Sequence, residues 1–350
     1  MPLTYDSMHW FERRQRYFMA RVSIVGAGGW GTALAVLIAN NGYNVCLWSR
    51  HAEFADTLNR ERNNHRYLPG VLIPASVVIT SELAEAANAE TILFATPSTA
   101  LRTLSQSLVS SASPGSTAVI VSAVKGLEKG TGLRMSEILA SIFPGRPIAV
   151  LSGPNHAAEV ARSVPTASVI GTPSEEIGKH LQRIISTKTF RTYTSSDLVG
   201  IEVGGALKNI FAIAAGIGDG LGLGDNSKAA LITRSLAELI RLGSALGGKR
   251  ETFQGLSGVG DLVVTCFGRH SRNRRVGERL GRGETLGQIQ HSMQMVAEGV
   301  PTTKSARECA LKLEVKTPII DEVYSILYEN APPSEAIERL LKRELRPEED

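Results

Sequence analysis

The sequence predicts two domains of different class, an α/β domain with a parallel sheet followed by an all-α domain. Three observations predict this arrangement. Apolar runs of strand type alternate with helical stretches as far as about residue 195. A glycine-rich turn joins the first strand to the first helix, and beyond residue 195 only helical patterns continue. Such alternation is typical of a parallel sheet covered by helices on both faces.

The first elements form one βαβ unit, with strands at 21–25 and 43–49 and a helix at 32–41 that ends before Gly42. Later strands are predicted at 90–95, 117–122 and 148–152, and weaker ones at 167–171 and 190–193. Predicted helices lie near 99–110, 132–142, 156–162, 174–187, 197–217, 227–246, 271–280, 285–290, 302–312, 318–329 and 333–341. We therefore expect an N-terminal extension over 1–20, an α/β domain over 21–195, a helical domain over 196–342 and a charged tail over 343–350.

The composition is that of an ordinary globular chain: of 350 residues, 43% are hydrophobic and 21% are charged, with a formal net charge of +4. These values exclude a disordered chain and do not by themselves indicate a nucleic-acid partner. Three scattered cysteines predict neither disulfides nor a metal site, and they fit a reducing, cytoplasmic compartment. We find no apolar run as long as a membrane helix, so no membrane insertion is expected. The first twenty residues lack the core of a secretory signal and are either a dispensable extension or a segment that binds a partner or a membrane surface.

The turn after the first strand carries Gly26, Gly28 and Gly31 in the spacing G-x-G-x-x-G, with Gly29 and Trp30 between them. Between a strand and a helix, this spacing is typical of a Rossmann-like dinucleotide-binding domain. The first glycine makes a tight turn, the second admits a pyrophosphate, and the third lets the helix pack on the strand. The helix N-terminus then offers N–H groups and a partial positive charge to the phosphates.

The end of the second strand predicts which dinucleotide binds. It reads Trp48-Ser49-Arg50-His51 and lacks the acidic residue that binds the ribose of NAD. Arg50 suits a 2′-phosphate, so we predict NADPH as the preferred cofactor, with NADH as a second one. The competing interpretation of Arg50 is a solvated arginine on a loop.

A nicotinamide enzyme needs a group that exchanges a proton with the carbonyl oxygen, and two lysines are candidates. Lys125 follows a predicted strand, at the sheet edge where open α/β domains bind ligands. Lys208 lies in an apolar, glycine-rich helix, where burial would lower its pKa toward neutrality. Asp261, at the end of the predicted loop 257–261, is a candidate partner for a lysine or a substrate hydroxyl. The alternatives without a catalytic role are that the lysines lie at the surface and that Asp261 caps the next helix.

Residues 262–282 hold six arginines and a single glutamate, a local charge larger than that of the whole chain. Arginine binds phosphate in a bidentate manner, and Ser271 is placed to open a helix that adds N–H donors. We therefore predict a site for one small phosphorylated substrate around Ser271, Arg272 and Asn273. The alternative, a nucleic-acid patch, lacks interleaved aromatic residues.

Over about residues 21–335 the chain resembles bacterial NAD(P)-dependent sn-glycerol-3-phosphate dehydrogenases. The resemblance rests on GAGGWGTALA (26–35), SAVKGLE (122–128), SGPNHAAEVA (152–161), EVGGALKNIFAIAAG (202–216), GDNSKAALITRSL (224–236), GLSGVGDLVVTC (255–266), SRNRRVG (271–277) and VAEGVPT (296–302). It implies reversible reduction of dihydroxyacetone phosphate by NADPH or NADH to sn-glycerol 3-phosphate, the backbone for phospholipid synthesis. It also implies a Rossmann-like N-terminal domain and a helical C-terminal domain.

Position by position, the resemblance makes Lys208 the proton donor and acceptor. The substrate contacts that it implies are Lys125, Gly153, Asn155, Lys208, Asp261, Ser271, Arg272 and Asn273. The cofactor contacts are Gly26, Gly28, Gly29, Trp30, Gly31, Arg50, His51, Lys125, Ala157, Arg272, Val296 and Glu298. Gly29, Asn155 and His156 depart from the residues usual in the family, although an asparagine at 155 still offers an amide to a substrate.

Two other functions remain open at this point. A 3-hydroxyacid or ketopantoate-type reductase would share the architecture, but its substrate carries no phosphate that would need so many arginines. A dinucleotide sensor or nucleic-acid-binding protein would keep the glycine turn and would not need Lys208 or Asp261. Long apolar helices in the second domain make a homodimer the expected assembly.

Overall fold

The computed structural model describes residues 21–115, 117–293, 296–344 and 347, so the predicted extension and most of the predicted tail lie outside the described residues. The chain divides into two units. The first comprises the residues up to Val124 and Met135–Leu198, and the second comprises Lys125–Arg134 and the residues from Val199 onward. The main boundary between the units falls after Leu198, three residues beyond the predicted boundary at 195. The inclusion of Lys125–Arg134 in the second unit was not predicted.

The first unit is the Rossmann-like α/β part of the chain. Its strands are β1 (Arg21–Val25), β2 (Asn44–Trp48), β3 (Asn63–Asn64), β4 (Leu68–Leu72), β5 (Val78–Thr80), β6 (Thr91–Phe94), β7 (Val119–Ser122), β8 (Ile148–Ser152), β9 (Thr166–Gly171) and β10 (Phe190–Ser195). Its helices are α1 (Gly29–Asn40), α2 (Ala52–Glu61), α3 (Leu83–Ala87), α4 (Leu101–Ser111), α5 (Met135–Ile142), α6 (Ala157–Ala161) and α7 (Glu175–Ile185). The sequence patterns missed the short β3, β4, β5 and α3.

Eight strands form one sheet in the order β10-β9-β8-β7-β6-β1-β2-β5, and β3 pairs with β4 separately. Neighbouring strands in the large sheet are parallel, except that β8 and β9 are antiparallel. The prediction of a wholly parallel sheet was therefore wrong at this pair. A parallel return needs a crossover element long enough to retrace the strand, whereas α6 is only five residues long and packs against α1.

The core of the first unit explains why its central strands read as continuous apolar runs. Strands β1, β6 and β7 have neighbours on both sides, and their residues are buried almost throughout. Helices α1 and α7 bury apolar faces against the sheet. The carboxyl ends of β1, β2, β6 and β7 lie along one edge, since these strands are parallel. The glycine turn and Arg50 follow β1 and β2 at this edge.

The second unit is helical. Its helices are α8 (Leu198–Gly220), α9 (Asp225–Ala245), α10 (Arg250–Phe253), α11 (Asp261–Phe267), α12 (Arg272–Gly281), α13 (Leu286–Ser292), α14 (Gly299–Lys312), α15 (Pro318–Tyr328) and α16 (Pro333–Leu341). The short helix α10 and the helix α11 were not predicted. The remaining helices match the predicted ones to within a few residues at each end.

Helix α8 is the centre of the second unit. It spans 23 residues and is long and apolar enough to cross a membrane by length and composition, but 83% of its apolar window is buried inside the protein. This differs from the expectation that no stretch reaches that length, because the helix accommodates Glu202 and Lys208 within an apolar run. Its burial is that of a core helix.

Candidate active site

Steric contacts explain the glycines in the turn between β1 and α1. Gly26 has a φ of +121°, and a Cβ there would lie 2.7 Å from the carbonyl oxygen of Ala95. A Cβ at Gly31 would lie 1.8 Å from the carbonyl oxygen of Gly26. At Gly28, in contrast, no described atom lies within 4 Å of the Cβ position. The fold therefore requires glycine at 26 and 31, whereas Gly28 leaves space open beside the start of α1.

The N-terminus of α1 is suited to a negatively charged group. Its N-cap is Gly28, which has no side chain that could bond to the first N–H groups of the helix. The first turn holds no acidic residue. The first N–H groups of a helix have no partners within the helix and carry a partial positive charge. These residues fit the pyrophosphate of a dinucleotide, because the backbone is approachable at Gly28 and its donors are not covered by a side chain.

The other predicted cofactor residues near this turn, Gly29, Trp30 and Ala157, pack against neighbouring elements of the first unit. A Cβ at Gly29 would lie 2.7 Å from the carbonyl oxygen of Tyr67 and 4.0 Å from the Cβ of Ala157. Trp30 and Ala157 are partly buried and pack against the core of the first unit. The start of α1 is thus packed closely against β4 and α6.

Arg50 and His51 directly follow β2, and both are exposed. Within the described ranges, Arg50 has no carboxylate partner. Glu53, the nearest acidic residue in sequence, lies exposed in the first turn of α2. An uncompensated guanidinium at this strand end is the arrangement that accepts the 2′-phosphate of NADP.

The segment after β8 holds the predicted substrate residues of the first unit. Gly153 has a φ of +130°, and a Cβ there would lie 3.0 Å from the Cα of Ser168. The Nδ2 atom of Asn155 donates to Ser168 Oγ at 3.1 Å, and His156 precedes α6 as its N-cap. Contacts to β9 therefore fix the backbone of this segment and orient the amide of Asn155.

In the second unit, Lys125, Lys208 and Asp261 form a charged cluster. Lys208 Nζ donates to Asp261 Oδ1 at 2.5 Å and to Thr265 Oγ1 at 2.6 Å. Lys125 Nζ donates to Asp261 Oδ2 at 2.7 Å. The side chains of Lys208 and Asp261 are 7% and 2% exposed, and that of Lys125 is 17% exposed. Three residues that the sequence singled out separately are therefore in direct contact.

The surroundings of this cluster bring the pKa of one lysine close to neutral pH. Burial lowers the pKa of Lys208 to about 8, with Asp261 opposing the change and Lys125 adding to it. Burial would raise the pKa of Asp261, but the ammonium groups of Lys125 and Lys208 outweigh it and hold that pKa below its ordinary value. Burial also raises the pKa of the Cys266 thiol to about 12. The cluster thus holds an ionised carboxylate beside a lysine that can give or take a proton near neutral pH.

The backbone before Asp261 is not the loop that the sequence predicted. Leu256–Gly260 forms a π-helical turn, and α11 begins at Asp261. A Cβ at Gly258 would lie 2.0 Å from the carbonyl oxygen of Phe253, and one at Gly204 would lie 2.7 Å from that of Ser257. The glycines therefore let this turn pack backbone to backbone on α8 and α10, which buries Asp261 beside Lys208.

Asn273 joins the start of α12 to two other helices. Its Nδ2 donates to Asn209 Oδ1 at 2.9 Å, and its Oδ1 accepts the N–H of Gly299 at 2.8 Å. Asn209 directly follows Lys208 on α8, and Gly299 begins α14. The side chain of Asn273 thus fixes the first turn of α12 relative to the helix that carries Lys208.

The residues on either side of Asn273 lie at the helix start that the sequence predicted as a phosphate site. Ser271 is the N-cap of α12, as the sequence predicted, and its Oγ accepts the N–H of Arg274 at 3.2 Å. Arg272 is exposed, and its Nη1 donates to the carbonyl oxygen of Val296 at 2.9 Å. Glu298 lies nearby in sequence as the N-cap of α14. Arg272, Val296 and Glu298, predicted together as cofactor residues, therefore belong to one local region of the second unit.

Three of the six arginines in residues 262–282 already have carboxylate partners. The ion pairs are Arg274 with Asp219, Arg279 with Glu284 and Arg282 with Glu278. The positive charge available to a phosphate is therefore smaller than the sequence count suggested. Arg272, next to the helix N-terminus, is the arginine whose position suits an anion best.

The sequence analysis missed four residues that the structure places at or near this cluster: Thr265, Asn209, Glu202 and Arg134. Thr265 lies one helical turn after Asp261, and Asn209 follows Lys208. Glu202 is a second charge inside apolar α8, where it pairs with Arg134 at 3.2 Å. Thr265 could have been found from its helical spacing of four residues from Asp261. Glu202 could have been found because it is a charged residue in an apolar helix.

The fold and the cluster define a class of protein: an NAD(P)-dependent oxidoreductase with a dinucleotide-binding domain and a helical domain that carries a buried lysine. The family models that match are the N-terminus of NAD-dependent glycerol-3-phosphate dehydrogenase over residues 21–178 and its C-terminus over residues 197–338. The chain belongs to the NAD-dependent glycerol-3-phosphate dehydrogenase family.

Individual relatives agree with this assignment. A glycerol-3-phosphate dehydrogenase [NAD(P)+] from Chlorobium luteolum is 49% identical over 333 residues, which cover 94% of this chain and 99% of the relative. The solved glycerol-3-phosphate dehydrogenase from Coxiella burnetii superposes with a TM-score of 0.89 at 38% identity, covering 93% of this chain and all of that one. A ketopantoate reductase from Ralstonia eutropha, at 16% identity and a TM-score of 0.59, shares the fold alone.

Proposed function

We propose that the chain reversibly reduces dihydroxyacetone phosphate to sn-glycerol 3-phosphate, with Lys208 exchanging the proton at the carbonyl oxygen. The observation that carries the proposal is the buried contact of Lys208 with Asp261 and Thr265, in a chain of this family. The product is the backbone that phospholipid synthesis consumes, and we assign the enzyme to that supply.

The chemistry needs one C–H bond and one O–H bond to form as the carbonyl π bond breaks. A bound nicotinamide supplies the hydride. The ammonium of Lys208 has three N–H donors, of which Asp261 and Thr265 accept two, so one remains for a carbonyl oxygen. When Lys208 gives up its proton, Asp261 stays ionised because Lys125 still faces it.

The phosphate of the substrate is assigned to the start of α12. Arg272 offers a guanidinium there, and the helix N-terminus offers N–H groups. Asn273 supports this turn through its contacts to Asn209 and Gly299 rather than by a free amide. Substrate roles for Lys125, Gly153, Asn155 and Ser271 stay predictions.

The test of the acid–base role is Lys208→Met, assayed by loss of NADPH absorbance with dihydroxyacetone phosphate. We expect kcat to fall by about 10²- to 10⁴-fold while NADPH still binds. In the parent enzyme, kcat for reduction should fall above pH 8, because the ammonium form is needed, and kcat for oxidation should rise toward pH 8. Lys228→Met is the control, since Lys228 is a partly buried lysine of the second unit that also pairs with a carboxylate. An unchanged kcat in Lys208→Met would remove Lys208 from the mechanism.

We also propose NADPH as the preferred cofactor and NADH as a slower one, on the strength of exposed Arg50 at the end of β2. Arg50→Asp should shift the ratio of kcat/KM values toward NADH. Arg60→Asp, at an exposed arginine of α2 whose partner is Glu61, is the control and should leave the ratio unchanged. A parent enzyme with the higher kcat/KM for NADH would contradict the assignment.

A homodimer and a cytoplasmic location complete the proposal. The expectation of a homodimer comes from the helical pattern of the second domain in the sequence, and sedimentation velocity of the purified protein tests it. Cys46, Cys266 and Cys309 form no disulfide, which suits a reducing compartment, and fractionation of cells tests that location.

A further inference from the structure

The loop Lys125–Arg134 has its own internal structure. Leu127 and Arg134 form an isolated antiparallel bridge, and the N–H of Glu128 donates to the carbonyl oxygen of Leu133 at 2.9 Å. The N–H of Gly132 donates back to the carbonyl oxygen of Glu128 at 3.0 Å. The loop is therefore a compact element that carries Lys125 at its first position.

Side chains and backbone of the second unit hold this loop. Leu127 is buried in the core of that unit, and Ser305 Oγ on α14 donates to the carbonyl oxygen of Glu128 at 3.1 Å. Gly132 has a φ of +72°, and a Cβ there would lie 2.7 Å from Cys309 Sγ. These contacts are the physical reason why the loop belongs to the second unit although its neighbours in sequence belong to the first.

The end of the loop is tied to α8 by an ion pair. Arg134 Nη1 donates to Glu202 Oε2 at 3.2 Å, and the side chain of Glu202 is 4% exposed. A carboxylate so deeply buried is costly unless a cation compensates it. Lys208 lies six residues further along the same helix. Helix α8 is therefore connected to both ends of the loop. Glu202 on this helix binds Arg134, and Lys208 on this helix binds Asp261, which also binds Lys125.

We propose that Glu202 is a positioning residue, which acts through Arg134 to hold the loop so that Lys125 stays on Asp261. The inference rests on the proposed function only in taking Lys208 as the acid–base group. Lys125 is one of the charges that set the proton affinity of Lys208, and it lowers the pKa of that lysine. Loss of the anchor should therefore be visible in the pH profile and not only in stability.

The first test is Glu202→Gln, which keeps the shape of the side chain and removes its charge. We expect the pKa in the kcat profile for reduction to rise from about 8, as it should in Lys125→Met, and kcat/KM to fall roughly tenfold. In the double variant with Lys125→Met, the pKa should rise no further than in Lys125→Met alone. Glu238→Gln is the matched control, because Glu238 is an equally buried carboxylate of the same unit that contacts α15 instead of the loop. It should leave the kinetic pKa unchanged.

Hydrogen exchange gives a readout that does not depend on activity. In Glu202→Gln, the amides of Glu128 and Gly132 should exchange faster, whereas amides of α15 should not change. If Glu202→Gln does not fold, Arg134→Lys weakens the same ion pair more gently and should show both effects in smaller measure. A kinetic pKa and loop exchange that match the parent enzyme would overturn the inference. If Lys125→Met and Lys208→Met also left kcat and its pH profile unchanged, the proposed function itself would fail instead.

Discussion

Glu238 should make the protein less stable as the pH rises from 4.5 to 7. This residue of α9 is 2% exposed, and its carboxylate accepts the N–H groups of Ile319 and Ile320 at 2.9 Å each. It therefore caps the start of α15 from a different helix. Burial nevertheless raises the pKa of Glu238 to about 7, because the two hydrogen bonds only partly replace the lost hydration.

The sign and size follow from proton linkage. Between pH 4.5 and 7, folded Glu238 holds a proton that the unfolded chain releases, so the free energy of unfolding falls as the pH rises through this window. A pKa that moves from 4.5 to about 7 corresponds to about 3 kcal/mol at 1.36 kcal/mol for each pKa unit. Glu238→Gln cannot titrate and should lose this dependence, although its amide oxygen can cap only one of the two N–H groups.

Urea unfolding of both proteins at pH 5, 6, 7 and 8 measures the effect. The stability of Glu238→Gln relative to the parent protein should rise by roughly 2 to 3 kcal/mol between pH 5 and pH 8, whatever the difference between the two proteins at pH 5. Comparing the two proteins cancels other titrating groups, such as His180, whose pKa burial lowers. Glu308→Gln, at an exposed carboxylate of α14, should show a constant difference. A constant difference for Glu238→Gln as well would refute the reasoning, and a fall with pH would mean that the cap favours the charged form.

Three further predictions concern packing in α12 and the neighbouring α13. A Cβ at Gly277 would lie 2.0 Å from the carbonyl oxygen of Ile213, so Gly277→Ala should cost about 1–3 kcal/mol in urea unfolding. Gly287→Ala, at a helical position with open space around it, should instead be neutral or stabilise by up to about 1 kcal/mol. Asn273→Ala leaves two buried groups unpaired, including the N–H of Gly299, and should lower stability by about 2 kcal/mol or more. It should also raise the KM for dihydroxyacetone phosphate more than that for NADPH, and equal increases would speak against a role at the phosphate.

Local signals in the sequence were enough to predict the glycine turn and the order of most strands and helices. The requirement for glycine at 26 and 31 arises within one βα turn, where sequence spacing and spatial contact coincide. The antiparallel entry of β9 could not be predicted in this way, because it depends on where the short α6 packs. The same holds for the short edge strand β5, whose three residues carry too little pattern.

The residue types of the cluster of Lys125, Lys208 and Asp261 were predictable, but their contacts were not. Lys125, Lys208 and Asp261 each stood out for a separate reason, and only folding shows that one carboxylate binds both lysines. The arginine-rich stretch shows the opposite error. Its charge was read as available to a ligand, whereas Arg274 is paired with Asp219, which lies 55 residues away in sequence. Long-range ion pairs of this kind leave no trace in local composition.

Helix α8 shows what an isolated charge in an apolar helix does predict. Removing one charge from water costs several kcal/mol unless another group compensates it, so Lys208 and Glu202 each require an opposite charge from another segment. The structure supplies Asp261 for Lys208 and Arg134 for Glu202. Neither partner lies on α8, so the helix can be buried only when α11 and the loop Lys125–Arg134 fold onto it. The packing that buries the core of the second unit therefore also brings Asp261 onto Lys208 and Arg134 onto Glu202.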